Sequence, residues 1–178
     1  GGNSACVQMD IGDTHLIFDA GTGCYSLGRD LFKTEFAKGQ GRAHWFMTHT
    51  HLDHIIGLPM FGPIYVPGNH FTFYSPMKDL EERFVAQQDP RFFPVGFDSL
   101  ASTIDFVDLS DTPTMNIGDI TIKWLKNDHP GNSYSYRVEY EGTSIVLSTD
   151  AEYKSLSPDI LDPVIDFFHK ADMLIFDA

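Results

Sequence analysis

The run His49-Thr50-His51-Leu52-Asp53-His54 constrains this chain more than any other stretch. It directly follows an apolar segment, Ala43 to Met47, that reads as a short strand, so it reads as a loop at a strand end. In an extended loop alternate residues point the same way. His49, His51 and Asp53 therefore aim at a common volume, and a change of backbone direction brings His54 beside Asp53. Imidazoles and carboxylates are the donors that borderline divalent cations such as Zn²⁺ select. The alternative is a polar loop that merely contains histidines. A cluster this dense in a chain with eight His favours the metal.

The rest of the pattern supplies strands in pairs, interrupted by helices. Cys6 to Met9 and His15 to Asp19 read as a hairpin turning at Gly12-Asp13, followed by the glycine-rich turn Ala20-Gly21-Thr22-Gly23. Tyr25 to Phe36 reads as a helix, Ile55 to Met60 as a short buried helix, Phe71 to Tyr74 as a strand and Met77 to Gln88 as an amphipathic helix. Residues 89–100 are aromatic and irregular. Thr103 to Leu109, Ile120 to Leu125, Ser133 to Tyr140 and Ser144 to Ser148 read as strands, with Glu141-Gly142 as a hairpin turn. Pro158 to Lys170 reads as a helix and Met173 to Asp177 as a final buried strand. The expected class is α/β, with sheets packed together and helices outside. His129 follows one of these strands and Asp150 another, as the histidine run follows a third. If those strands share a direction, the three loops meet at one edge.

At 178 residues the chain is one domain's worth, and 15 Phe supply large core pieces. The net charge of -13 argues against a nucleic-acid polymer as partner, which needs Lys and Arg to displace counterions. It leaves room for a small anion at a local positive site. No stretch reaches the length of a membrane span, and no leader pattern opens the chain. Cys6 and Cys24 read as reduced cysteines in a cytoplasmic protein. The oligomeric state stays open, a homo-oligomer included.

His49-Thr50-His51-Leu52-Asp53-His54 matches the HxHxDH signature of the metallo-β-lactamase superfamily. Leu16 to Gly23 resembles that superfamily's first motif, an apolar strand ending in Asp and Gly. His129-Pro130-Gly131 before Tyr136-Arg137-Val138-Glu139 resembles the third motif, Ser148-Thr149-Asp150 the one with the bridging Asp, and Ala171 to Asp177 the late strand. The resemblance runs along nearly the whole chain. It is closest to the branch of ribonuclease Z and the small phosphodiesterases, because true β-lactamases lack the counterpart of His54. It implies an αββα sandwich of two mixed sheets flanked by helices, as a single domain over residues 1–178 that lacks terminal elements at both ends. It also implies two divalent metal ions, zinc first, with manganese or iron as alternatives. His49, His51 and His129 would hold one ion, Asp53 and His54 the second, and Asp150 would bridge them. Asp19 would orient a ligand, or simply form a turn.

The family's last histidine ligand, in a Gly-His segment after the final strand, has no counterpart among His15, His44, His70 and His169. An excerpt, a trimmed chain or a ligand from another chain would explain that. The expected activity is hydrolysis by a metal-activated hydroxide, with Asp53 able to take or relay a proton. A small phosphodiester such as a cyclic nucleotide suits a focused positive site in an acidic protein. Lactone or thioester hydrolysis, or 3′ processing of RNA, would use the same ligands. A mononuclear iron oxygenase would fill only the three-histidine side. In the segment 89–95, Phe92 and Phe93 are candidates to stack on a base, and Arg91 to meet a phosphate.

Overall fold

Two five-stranded sheets organise the chain, one in each of two compact units, Gly1–Leu109 and Ser110–Ala178. The computed structural model describes residues 2–153 and 157–176. Both sheets are mixed and carry helices, as the α/β expectation has it.

In the first unit, β1 (Val7–Ile11) and β2 (Thr14–Phe18) form the expected hairpin, with Gly12 at φ 57° in its turn. β3 (Arg42–Phe46), β4 (His70–Ser75) and β5 (Thr103–Asp108) then add in order, each parallel to the last. Parallel neighbours need crossovers, and two of these carry α1 (Gly23–Leu31) and α3 (Leu80–Gln87). Alternation along the strands puts Trp45, Phe71, Phe73 and Phe106 on one face. Trp45 stacks on Phe73 at 5.1 Å and meets the edge of Phe61 at 4.9 Å, and Phe73 meets Phe84 of α3 at 5.2 Å. Each fully buried ring of this kind contributes roughly 1.5–3 kcal/mol.

Two helices differ from expectation. α1 stops at Leu31, and a separate 3-10 turn, Glu35–Lys38, follows. Thr34 accepts the Phe36 amide at its start, and Gly39 at φ 72° ends it. The apolar stretch Ile55 to Met60 is not one helix. Instead a single turn, α2 (Leu52–Ile55), begins inside the histidine run, and the 3-10 turns Leu58–Met60 and Gly62–Tyr65 follow. Pro59 and Pro63 lack the amide that a continuing helix would need.

In the second unit, β6 (Thr114–Ile117), β7 (Ile120–Asn127), β8 (Ser133–Tyr140) and β9 (Thr143–Ser148) form an antiparallel meander. Glu141 and Gly142 both have positive φ, which suits the tight hairpin expected there. β6 is additional. It has four residues and follows Pro113, too short for its alternation to stand out. After α4 (Pro158–Phe168), β10 (Met173–Phe176) pairs parallel with β9. β10 is not the buried strand expected. Met173, Leu174 and Phe176 are exposed, because β10 has a strand neighbour on one side only and none of α4's residues is buried. Asp177 lies outside the described residues. Both cysteines are free thiols, and burial, aided by Cys6, pushes the Cys24 thiol well above its usual range. Among the described residues no helix is long and apolar enough to cross a membrane.

Candidate metal centre

β2 and β3 are parallel, so the turn after one and the loop after the other leave the first sheet at the same edge. Asp19 closes β2 at φ 56°, a left-handed conformation that a short polar side chain tolerates. Its amide donates to the Phe46 carbonyl at 3.0 Å, and the Trp45 indole donates to its carbonyl at 3.1 Å. Ala20 then donates to the His54 carbonyl, and Gly57 to the Ala20 carbonyl, both at 2.7 Å. The two loops are thereby knitted together. The approach demands glycine, since a Cβ on Gly57 would fall on the Gly21 carbonyl.

Asp19 is 1% exposed, and its carboxylate organises the histidines. One oxygen accepts the Thr48 amide at 2.8 Å. The other accepts the Thr48 hydroxyl at 2.7 Å and His54 Nδ1 at 2.8 Å. With its proton donated to Asp19, the Thr48 oxygen accepts from His49 Nδ1 at 3.0 Å. Both His49 and His54 thus carry their proton on Nδ1 and turn Nε2 into the lone-pair nitrogen. Burial pushes the Asp19 carboxyl above its ordinary pKa, while His54 and Thr48 pull it down. The residue forms the turn and also orients the His54 ring, whether or not that ring holds a metal.

His49 Nε2 lies 3.0 Å from His51 Nδ1, and the His49 and His54 rings are 4.1 Å apart. Two imidazole nitrogens on a tetrahedral zinc sit about 3.3 Å apart. The spacing and the fixed tautomer of His49 therefore fit a divalent cation. His51 precedes α2 in an extended conformation, with ψ 155°. Asp53 faces outward from the first turn of α2, with its side chain 65% exposed and its carboxylate 3.5 Å from His54 Nε2.

The second unit repeats the arrangement at its own edge. β7 and β9 are each antiparallel to β8, so they run the same way, and the loops bearing His129 and Asp150 leave together. Asp150, like Asp19, is left-handed, at φ 52°. Glu152 places a carboxylate oxygen 3.2 Å from His129 Nδ1, and its amide donates to the Asp128 carbonyl. Beneath these loops lies a buried neutral network. Ser135 donates to Asn127 at 2.8 Å and lies 2.7 Å from the Ser148 hydroxyl, while Asn127 donates to Ser133 and Ser133 to the Thr149 carbonyl.

Beside the histidine loop is a cavity of about 760 Å³, walled by Leu52, Ile56, Met60, Phe92 and Phe93. The aromatic segment does reach it. Arg91 does not line it: that guanidinium is held by Asp89 through two bonds of 2.8 Å and points to solvent. The lining cation is Arg83, which sequence reasoning missed, along with Thr48, Gln87 and Glu152. Only Thr48, adjacent to His49, had a position that hinted at its role. Three other histidines are engaged elsewhere: His15 with Asp10 and Glu35, His44 with Tyr74, and His70 with Asp105 and Arg42. His169 follows the last turn of α4.

A histidine loop at a strand edge, backed by a buried aspartate, on mixed sheets with crossover helices, defines a protein of the metallo-β-lactamase fold. Solved structures share the fold. YhfI from Bacillus subtilis, itself described as a metallo-β-lactamase fold protein, superposes with a TM-score of 0.67 at 20% identity, over 96% of this chain and 61% of its own. The short form of human tRNase Z gives 0.62 at 18%, over 96% of this chain and 70% of its own. Zinc-bound PqqB from Methylobacterium extorquens gives 0.58 at 13%, over 98% and 60%. The chain thus spans about 61% of the length of the Bacillus protein. No curated protein sequence matches it. A narrower family does: residues 3–175 match the family of the anti-Pycsar protein Apyc1, and the chain belongs to that family.

Proposed function

We propose that this chain carries the centre of a metal-dependent phosphodiesterase acting on a small cyclic nucleotide. The observation that carries the reading is the Asp19 network, which fixes the tautomers of His49 and His54 and leaves their Nε2 atoms as donors. Membership of the Apyc1 family, a cyclic nucleotide-degrading family, narrows the substrate. By the family resemblance, His49, His51 and His129 would hold one ion. Asp53 and His54 would hold the second, with Asp150 as a shared ligand.

When bound, two divalent cations supply Lewis acidity and bring the pKa of a water toward neutrality. The chain's own residues do the rest. Asp19 and Thr48 hold His49 and His54 in donor form. Asp53, exposed and beside His54, takes the proton given up by the attacking water and relays it to the oxygen that leaves phosphorus as the phosphodiester opens. The cavity beside the loop receives the base between Met60 and the Phe92–Phe93 pair, and its apolar walls exclude water from that side. The substrate is a small anion, drawn to a local positive site in a protein of charge -13.

The test is elemental analysis coupled to a substrate panel, with Asp150→Ala as control. Stoichiometric metal and hydrolysis of 3′,5′-cyclic nucleotides are expected, and both are lost in the variant. A metal-loaded protein that opens lactones or thioesters, or trims RNA 3′ ends, and leaves cyclic nucleotides and bis(p-nitrophenyl) phosphate intact would overturn the reading.

A further inference from the structure

Three polar side chains line the cavity, Thr50 of the histidine loop and Arg83 and Gln87 of α3. Thr50 lies between His49 and His51, and alternation turns its side chain to the opposite side of the loop. There Arg83 Nη1 donates to the Thr50 hydroxyl at 2.7 Å. Arg83 is itself anchored one turn back on α3, its Nε lying 2.9 Å from the Asp79 carboxylate. One turn forward, Gln87 Nε2 donates to the Ile55 carbonyl at 2.6 Å. Ile55 ends α2 directly after His54, and its carbonyl is among those that a helix end leaves without an internal partner. Positions 83 and 87 share a face of α3. Their two bonds grip the loop at 50 and at 55, on either side of His51, Asp53 and His54. The helix cannot yield easily, because Leu80 and Phe84 are buried and the Phe84 ring packs on Phe73 and Phe97.

We infer that Arg83 and Gln87 are positioning residues, through which α3 sets the span of the ligand run and so its metal affinity. The inference rests on the reading that this run holds metal. Arginine is needed at position 83 because its planar fork donates to Asp79 and Thr50 at once, which a lysine ammonium on a flexible stem does not reproduce.

The experiment is zinc affinity by chelator competition on the full chain, with far-UV circular dichroism and thermal unfolding to establish that each variant is folded. Arg83→Met and Thr50→Val are each expected to weaken zinc roughly tenfold. Combined, they are expected to weaken it no further, because both remove the same bond. Thr50→Ser keeps the hydroxyl and restores the parental affinity, while Arg83→Lys does not. Gln87→Leu is expected to weaken zinc independently and tests the far grip should Arg83→Met fail to fold. Parental affinity in folded Arg83→Met, or effects of Arg83→Met and Thr50→Val that multiply in the double variant, would overturn the inference. Failure of the parent itself to bind zinc would instead overturn the proposed metal centre.

Discussion

The two units support their loops by opposite chemistry. In the first, one buried carboxylate, Asp19, receives a backbone amide, a hydroxyl and an imidazole. In the second, the layer under His129 and Asp150 is neutral, a relay of Ser133, Ser135, Ser148 and the Asn127 amide. A buried charge is costly unless its environment is fully arranged around it. The first edge is accordingly the more specified, with each donor aimed at one acceptor. The neutral relay is more forgiving, since hydroxyls rotate to suit their partners. The same contrast extends to packing. The first unit closes on stacked aromatic rings, whereas α4 of the second has no buried residue.

Four substitutions break or sharpen this contrast. Asp19→Ala is expected to have the largest effect. It strands the Thr48 amide and His54 Nδ1, at a cost of about 3–5 kcal/mol read by chemical denaturation. It should also weaken zinc roughly 10–100-fold in chelator competition. Asn127→Ala in the neutral network is expected to cost less, about 1–3 kcal/mol, because the serines it leaves can re-pair. Equal costs for the two would erase the distinction. Further down, His15 tests the rim of the first unit. Burial pulls its pKa down, but Asp10 and Glu35 outweigh that and hold it raised. A raised folded pKa contributes stability that is fully present below the unfolded value, about 6.5, and is lost as pH rises through the folded value. Against His15→Gln, the parent's advantage should therefore be present at pH 5.5 and gone by pH 9, and should stay below about 1 kcal/mol. Ile165→Ser on α4 is expected to fall within about 0.5 kcal/mol of the parent in denaturation midpoints, since that side chain is exposed.

What the sequence made legible follows the range of the interactions involved. The histidine run, the hairpins and the strand ends bearing Asp19, His129 and Asp150 are local patterns, and the structure has them at strand edges. Arg83 and Gln87 stayed hidden because their partners lie 33 and 32 residues away, across a crossover. An amphipathic helix gives no sign of which polar residue will face a loop. Arg91 attracted notice by sitting among aromatics, but a neighbouring Asp89 had already neutralised it. β6 escaped because four residues do not reveal a period, and β10 misled because an apolar run says nothing about how many sides are covered.

The left-handed backbone at Asp19 and Asp150 has a consequence for how such a chain can drift. Glycine would accept the dihedral and lose the carboxylate. Glutamate would keep the charge but carry it a bond too far, on a backbone that resists it. Asparagine fits the dihedral and the volume, yet at position 19 it would present an amide nitrogen or an uncharged oxygen where three donors converge. At position 19, therefore, aspartate has almost no synonym: each of these replacements gives up either the dihedral or an acceptor that the converging donors require.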